Sequence, residues 1–149
     1  MKRNILYLFI MAGVCLYGCT AKNDVLPNTP IPVSGTYSGQ FKLYHVNPTT
    51  NAVRIDSANL SLVMETATGY KVAGDTSTLH AGSFGSYGVN SFTSEIIFVD
   101  KTFPTSGTPT KVHLSGNYAY EYDGSTLKLA AYGPLDTLQY IYKFTRTGN

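Results

Sequence analysis

Between residues 111 and 122 the large apolar side chains take alternate positions, with Val112, Leu114, Tyr118, Tyr120 and Tyr122 on one parity. A period of two lines those side chains along one face of a strand and does not fit the 3.6-residue repeat of a helix. The rhythm recurs from residue 34 to the end of the chain. Tyr37, Phe41 and Leu43 oppose Ser38, Gln40 and Lys42 in the first run, and Leu138, Tyr140, Tyr142, Phe144 and Arg146 share a parity in the last. Asn47-Pro48, Gly74-Asp75, Asp123-Gly124 and Gly133-Pro134 separate the runs. Asp-Gly between two alternating stretches is a strong hairpin signal. The fold is therefore expected to be all-β.

About eight short strands joined by tight turns predict an antiparallel meander. Such a sheet must protect its edges, and closure into an up-and-down barrel does so outright, with a β-sandwich as the alternative. Two places depart from the simple pattern. In residues 52–66, Val53 and Ile55 have one parity while Leu60, Leu62 and Met64 have the other, which predicts a bulge or bend near Ser57. Residues 80–91 read as a strand thinned by Gly82, Gly85 and Gly88. Glycines inside a strand mark a bend, or here a portal with Phe84 and Tyr87 as its lids.

The first eighteen residues follow a different logic. Lys2 and Arg3 precede a mostly apolar run of thirteen residues, 5–17. A positive start and a short apolar run before small residues are the parts of a secretory signal peptide. The run is too short for a transmembrane helix, which takes about twenty residues. Leu16-Tyr17-Gly18-Cys19 resembles the lipobox of bacterial lipoproteins. That resemblance implies cleavage before Cys19, acylation of Cys19 by fatty acids such as palmitate, and anchorage in the cell envelope at the outer membrane. Residues 1–18 are then the signal peptide and 19–33 the lipidated cysteine with a linker carrying Pro27, Pro30 and Pro32. Residues 34–149 form the folded domain.

Cys15 leaves with the signal, so the domain has no disulfide and no thiolate metal site. Of eleven Lys and Arg, Lys2 and Arg3 also leave, and nine basic residues face nine acidic ones. A near-neutral chain argues against a nucleic-acid partner held by long-range attraction. The membrane, reached through the lipid, is the expected partner, beside the small apolar ligand considered below. The sequence identifies no protein partner.

Ser34-Gly35-Thr36-Tyr37 is similar to the Gly-x-Trp opening of lipocalin and related calycin barrels, with Tyr in place of Trp. In those families a basic residue on the last strand packs across the aromatic ring and closes one end of the barrel. The resemblance implies that role for Tyr37 and Arg146, a lipocalin-like barrel over residues 34–149, and room for a cavity.

Tyr118, Tyr120, Tyr122, Tyr140 and Tyr142 are the candidate ligand-binding residues. Tyrosine joins a broad apolar face to a polar tip, which suits a pocket for a small apolar or aromatic molecule. They are expected inside, with Lys111, Glu121, Asp123, Gln139 and Lys143 outside. Ligand would enter near Gly82, Gly85 and Gly88, away from the end closed by Tyr37 and Arg146. The alternative is a filled barrel acting as a structural or interaction module. His45, His80 and His113 lack metal-ligand spacing, and neither Gly-x-Ser-x-Gly, a P-loop nor His-Glu-x-x-His occurs. No catalytic residue, metal or cofactor is expected, and the chain does not read as an enzyme.

Overall fold

The computed structural model describes residues 29–32, 34–133 and 137–148. The expected signal peptide, Cys19 and most of the expected linker lie outside the described residues. Eight strands follow in order: β1 (Gly35–Val46), β2 (Val53–Glu65), β3 (Gly69–Gly74), β4 (Phe84–Asn90), β5 (Glu95–Asp100), β6 (Gly116–Tyr122), β7 (Thr126–Tyr132) and β8 (Leu138–Gly148). Each pairs antiparallel with the next, and β8 returns to β1, closing an up-and-down barrel. This architecture is consistent with a lipocalin-like fold.

Alternation decides what the barrel encloses. Phe41, Leu62, Ile96, Leu127, Leu129 and Phe144 point inward and are buried. Lys71, Glu121, Lys128 and Lys143 on the intervening positions are exposed. Apolar inside and charged outside is the reverse of a barrel whose outer face meets lipid. At the β6–β7 hairpin the Asp123 carboxylate accepts from the backbone N–H of Thr126 and Ser125 and from the Ser125 hydroxyl. Those bonds hold it down to about 2.

The expected bulge at Ser57 is absent. The β1–β2 register runs without a shift from Gly35↔Met64 to Val46↔Val53. The change of parity has another cause: this hairpin rises past the rim. There the inward positions of β2 carry Arg54 and Asp56, and Val53 and Ile55 face outward at 55% and 51% exposure. Asp56 Oδ2 bridges His45 Nε2 at 3.0 Å and Arg54 at 3.1 Å. An inward direction above the rim meets water rather than core, so the apolar parity inverts while the backbone stays regular.

The run at 111–122 is also shorter as a strand than its pattern implies, because β6 starts only at Gly116. Residues 111–115 leave the sheet and fold against the β3–β4 loop, where Val112 makes a parallel bridge with His80. Ala81 N–H donates to Val112 O at 2.8 Å and Val112 N–H to Leu79 O at 2.9 Å. His80 belongs to this loop, not to a strand, and β4 begins at Phe84. Lys111 accordingly lies in the loop, its Nζ donating to Thr76 O.

Candidate functional site

The two zipped loops drive His80, Ser83 and Leu114 into the barrel mouth, all fully buried. The His80 ring packs edge-on against Phe41 at 5.1 Å and Tyr142 at 5.7 Å. Its Nδ1 lies 2.6 Å from Ala81 O and its Nε2 2.9 Å from the Tyr142 hydroxyl. A carbonyl only accepts, so Nδ1 carries the proton and Nε2 accepts from Tyr142. Burial disfavours the imidazolium and lowers the His80 pKa to about 4, outweighing the Ala81 carbonyl that favours it. The ring is neutral at pH 7.

The result is one short relay: Tyr142 donates to His80 Nε2, and His80 Nδ1 donates to Ala81 O. The Tyr118 ring in turn meets Tyr142 edge-on at 5.7 Å. Burial pushes Tyr118 up to about 12 and Tyr142 well above its usual value. Tyr70 closes a second link, its hydroxyl donating to Leu114 O at 2.5 Å. The polar tips of His80, Tyr142 and Tyr70 find partners within the chain, as the cost of an unpaired buried group demands.

The tyrosines singled out from the sequence therefore sit as follows. Tyr118, Tyr120, Tyr122 and Tyr142 are buried and inward, and Tyr140 is half-buried. Tyr122 donates to Gly124 O at 2.7 Å, and Tyr120 reaches Thr29 O at 3.4 Å. Tyr142 stacks on Phe144 and leans on Phe41, while Tyr118 meets Phe98 and Tyr142 edge-on. Glu121, Asp123 and Lys143 are exposed, and Gln139 is half-buried. Sequence reasoning missed His80 as an interior residue and placed Leu114 on a strand, since no local pattern marks a loop that folds inward.

Tyr37 and Arg146 are cross-strand partners in the β1–β8 ladder. Tyr37 is fully buried and meets Tyr122 edge-on at 6.4 Å. Arg146 donates to Ser34 O at 3.1 Å, and its Nε would lie 3.0 Å from a Cβ at Gly35. Gly35 thus leaves the space the guanidinium fills. Burial raises the Tyr37 pKa, and the Arg146 charge opposes that rise.

A different feature opens the wall. β3 and β4 pair only at Tyr70↔Gly85 and Lys71↔Phe84, after which residues 86–90 continue beside β5 alone among the described strands. At this seam is a hollow of about 620 Å³, walled by Gly69, Gly85, Ser86, Tyr87, Lys101 and the tether residues Ile31 and Pro32 among others. Ligand pockets span roughly 300–1,000 Å³. The glycines are needed here: a Cβ on Gly69 would lie 1.9 Å from Gly85 O, and one on Gly85 1.9 Å from Val99 O. The seam does not lie opposite the Tyr37 end, as the sequence suggested. β4 runs down from its loop, so Gly88 approaches the end where β1 starts, and only Gly82 faces the other way.

The remaining titratable pair is at the β5 exit. His113 Nδ1 lies 2.7 Å from Asp100 Oδ2, and Phe103 meets the imidazole edge-on. Burial pushes Asp100 up, but hydrogen bonds from Thr102 and His113 prevail and hold it below its usual value. The Thr102 hydroxyl donates to Asp100 Oδ1 at 2.7 Å while His113 meets Oδ2, and no group of three His, Cys, Asp or Glu gathers among the described residues. No protein-family model, curated protein or solved structure matches the chain.

Proposed function

We propose that the chain is a lipid-anchored interaction module of the cell envelope, held at the outer membrane through Cys19, whose filled barrel presents its outer surface to a partner. The observation that carries this reading is the buried relay from Tyr142 through His80 to Ala81 O. Three of the side chains suited to line a ligand cavity are engaged within the chain, Tyr142 by His80, Tyr122 by Gly124 O and Tyr120 by Thr29 O. The outer face supports the same reading. Phe84, Ile97 and Val99 are 47%, 46% and 55% exposed on adjacent strands, in line with Ser86 and the bare Gly88. Exposed apolar groups gathered on one face suit protein contact.

The lipocalin-like reading, with a small apolar or aromatic molecule inside, draws on one observation. The core is completed by loops, at His80 and Leu114, rather than by strands alone, and loop displacement would vacate an aromatic chamber. Native mass spectrometry of the full chain, extracted from its own host's membranes, separates the two. The interaction module predicts the mass of the acylated protein with no small molecule retained. A stoichiometric apolar ligand in the spectrum would replace it with the ligand-binding reading.

A further inference from the structure

We propose that the seam between β3 and β4 binds an extended, acidic peptide segment of a partner protein by strand addition to residues 86–90 of β4. The inference deepens the interaction-module reading and rests on it.

A strand that loses its neighbour presents unused backbone N–H and C=O groups, and an extended chain is the ligand that matches their spacing. Native edges are normally blunted by lysine, proline or a bulge. β4, with the sequence FGSYGVN, carries none of the blunting residues and no charge. Its outward positions beyond Phe84 are Ser86, Gly88 and Asn90, small enough for another strand to lie alongside. The described tether residues, 29–32, pass close by, and no backbone bond joins them to β4 among the described residues. Thr29 contacts Ser94 through its hydroxyl, and Ile31 and Pro32 help to wall the hollow. With Pro30 and Pro32 in this stretch, half of its residues have no N–H to donate.

Charge selects the occupant. Lys101 stands in the wall of the hollow, and Lys71 is exposed opposite Phe84. The nearby carboxylate of Glu65 is engaged by the Thr68 hydroxyl. Two lysines at an uncharged edge favour a segment bearing carboxylates. They disfavour a second copy of the chain, because symmetric pairing would gather four lysines at one junction.

The test is amide hydrogen exchange on the full acylated chain in detergent micelles, with a defined probe. The probe is a pool of acidic hexapeptides with Glu at both ends and alternating Thr and apolar residues between. A matched pool N-methylated at alternate amides serves as control. In the protein alone, the seam-facing amides of residues 86–90 should exchange freely, and the unmodified pool should slow them by about tenfold or more. The methylated pool should not. Lys101→Glu should weaken the protection about fivefold or more, and Lys101→Arg should retain it. Slow exchange before the peptide is added would overturn the proposal, as would equal protection by both pools or none by either. So would a concentration-dependent dimer that protects the same residues. A small molecule retained in the native mass spectrum would defeat the interaction-module reading. A clean spectrum without peptide protection would defeat the seam alone.

Discussion

His80 is the residue on which the interior turns. A neutral ring with Nδ1 protonated satisfies both Ala81 O and the Tyr142 hydroxyl, whereas the imidazolium would need two acceptors and would set a charge among Phe41, Tyr118 and Tyr142. The groups around it offer little compensation: Tyr142, Tyr118 and Ser115 are neutral, and the Asp100 carboxylate is taken by Thr102 and His113. Its pKa of about 4 lies below the unfolded value of 6.5, so the unfolded chain binds more protons between those limits. The stabilisation is whole above pH 6.5 and is lost as pH falls through 4, amounting to roughly 3 kcal/mol at most. Urea unfolding at pH 7 and pH 4 should show the midpoint dropping in the wild type. His80→Phe leaves the Tyr142 hydroxyl without its acceptor, so it should begin about 1–3 kcal/mol less stable. Its stability should nevertheless be flat across the same window. A parallel fall in both proteins would assign the acid sensitivity to other groups. Arg146 makes a smaller contribution from the opposite end. Arg146→Ala removes a charge-assisted bond to Ser34 O, and the melting temperature should fall by a few degrees, equivalent to about 1–2 kcal/mol.

At the scale of the strand, the glycines of β4 divide by what a methyl group would strike. On Gly85 it would meet Val99 O at 1.9 Å, a backbone atom that cannot step aside, while on Gly88 it would meet only the Ile97 Cγ2 at 3.4 Å. Gly85→Ala should therefore destabilise by about 2 kcal/mol or more, and Gly88→Ala by less than about 0.5 kcal/mol, measured by urea denaturation. Equal effects would mean that the β4–β5 approach is not constrained. The contrast also shows what could be read from the sequence. Alternation announced each strand and the side each residue faces, because burial on one face imposes a period of two whatever the neighbours are. It overextended β6, since Val112 and Leu114 keep the apolar parity while their backbone pairs with the β3–β4 loop. It suggested a bulge at Ser57 because parity records burial, and burial inverts above the rim. The relay was illegible for a plainer reason: His80 and Tyr142 are 62 positions apart, and only closure of the barrel brings them together.

For the molecule as a whole, the proposed anchor and the fold are expected to be separable, and that separation can be tested. The core described above lies entirely within residues 35–148, and the tether reaches it at the end where β1 begins, with Thr29 beside Ser94 and Pro32 buried. The fourteen residues from Thr20 to Val33 span up to roughly 45 Å when extended, at about 3.3 Å per residue. Acyl chains on Cys19 would hold the barrel at the bilayer through about 0.8 kcal/mol per buried CH₂, and two or three chains suffice for stable anchoring. Cys19→Ser should move the protein from the membrane pellet to the soluble fraction and abolish labelling by a fatty-acid analogue. The released barrel should keep its β-sheet circular dichroism and its urea midpoint, because no core contact is lost with the lipid. Two results would contradict this. Label persisting on the variant would place acylation elsewhere, and a variant that stays membrane-bound without label would mean that the barrel's own surface, with Phe84, Ile97 and Val99 exposed, holds it there.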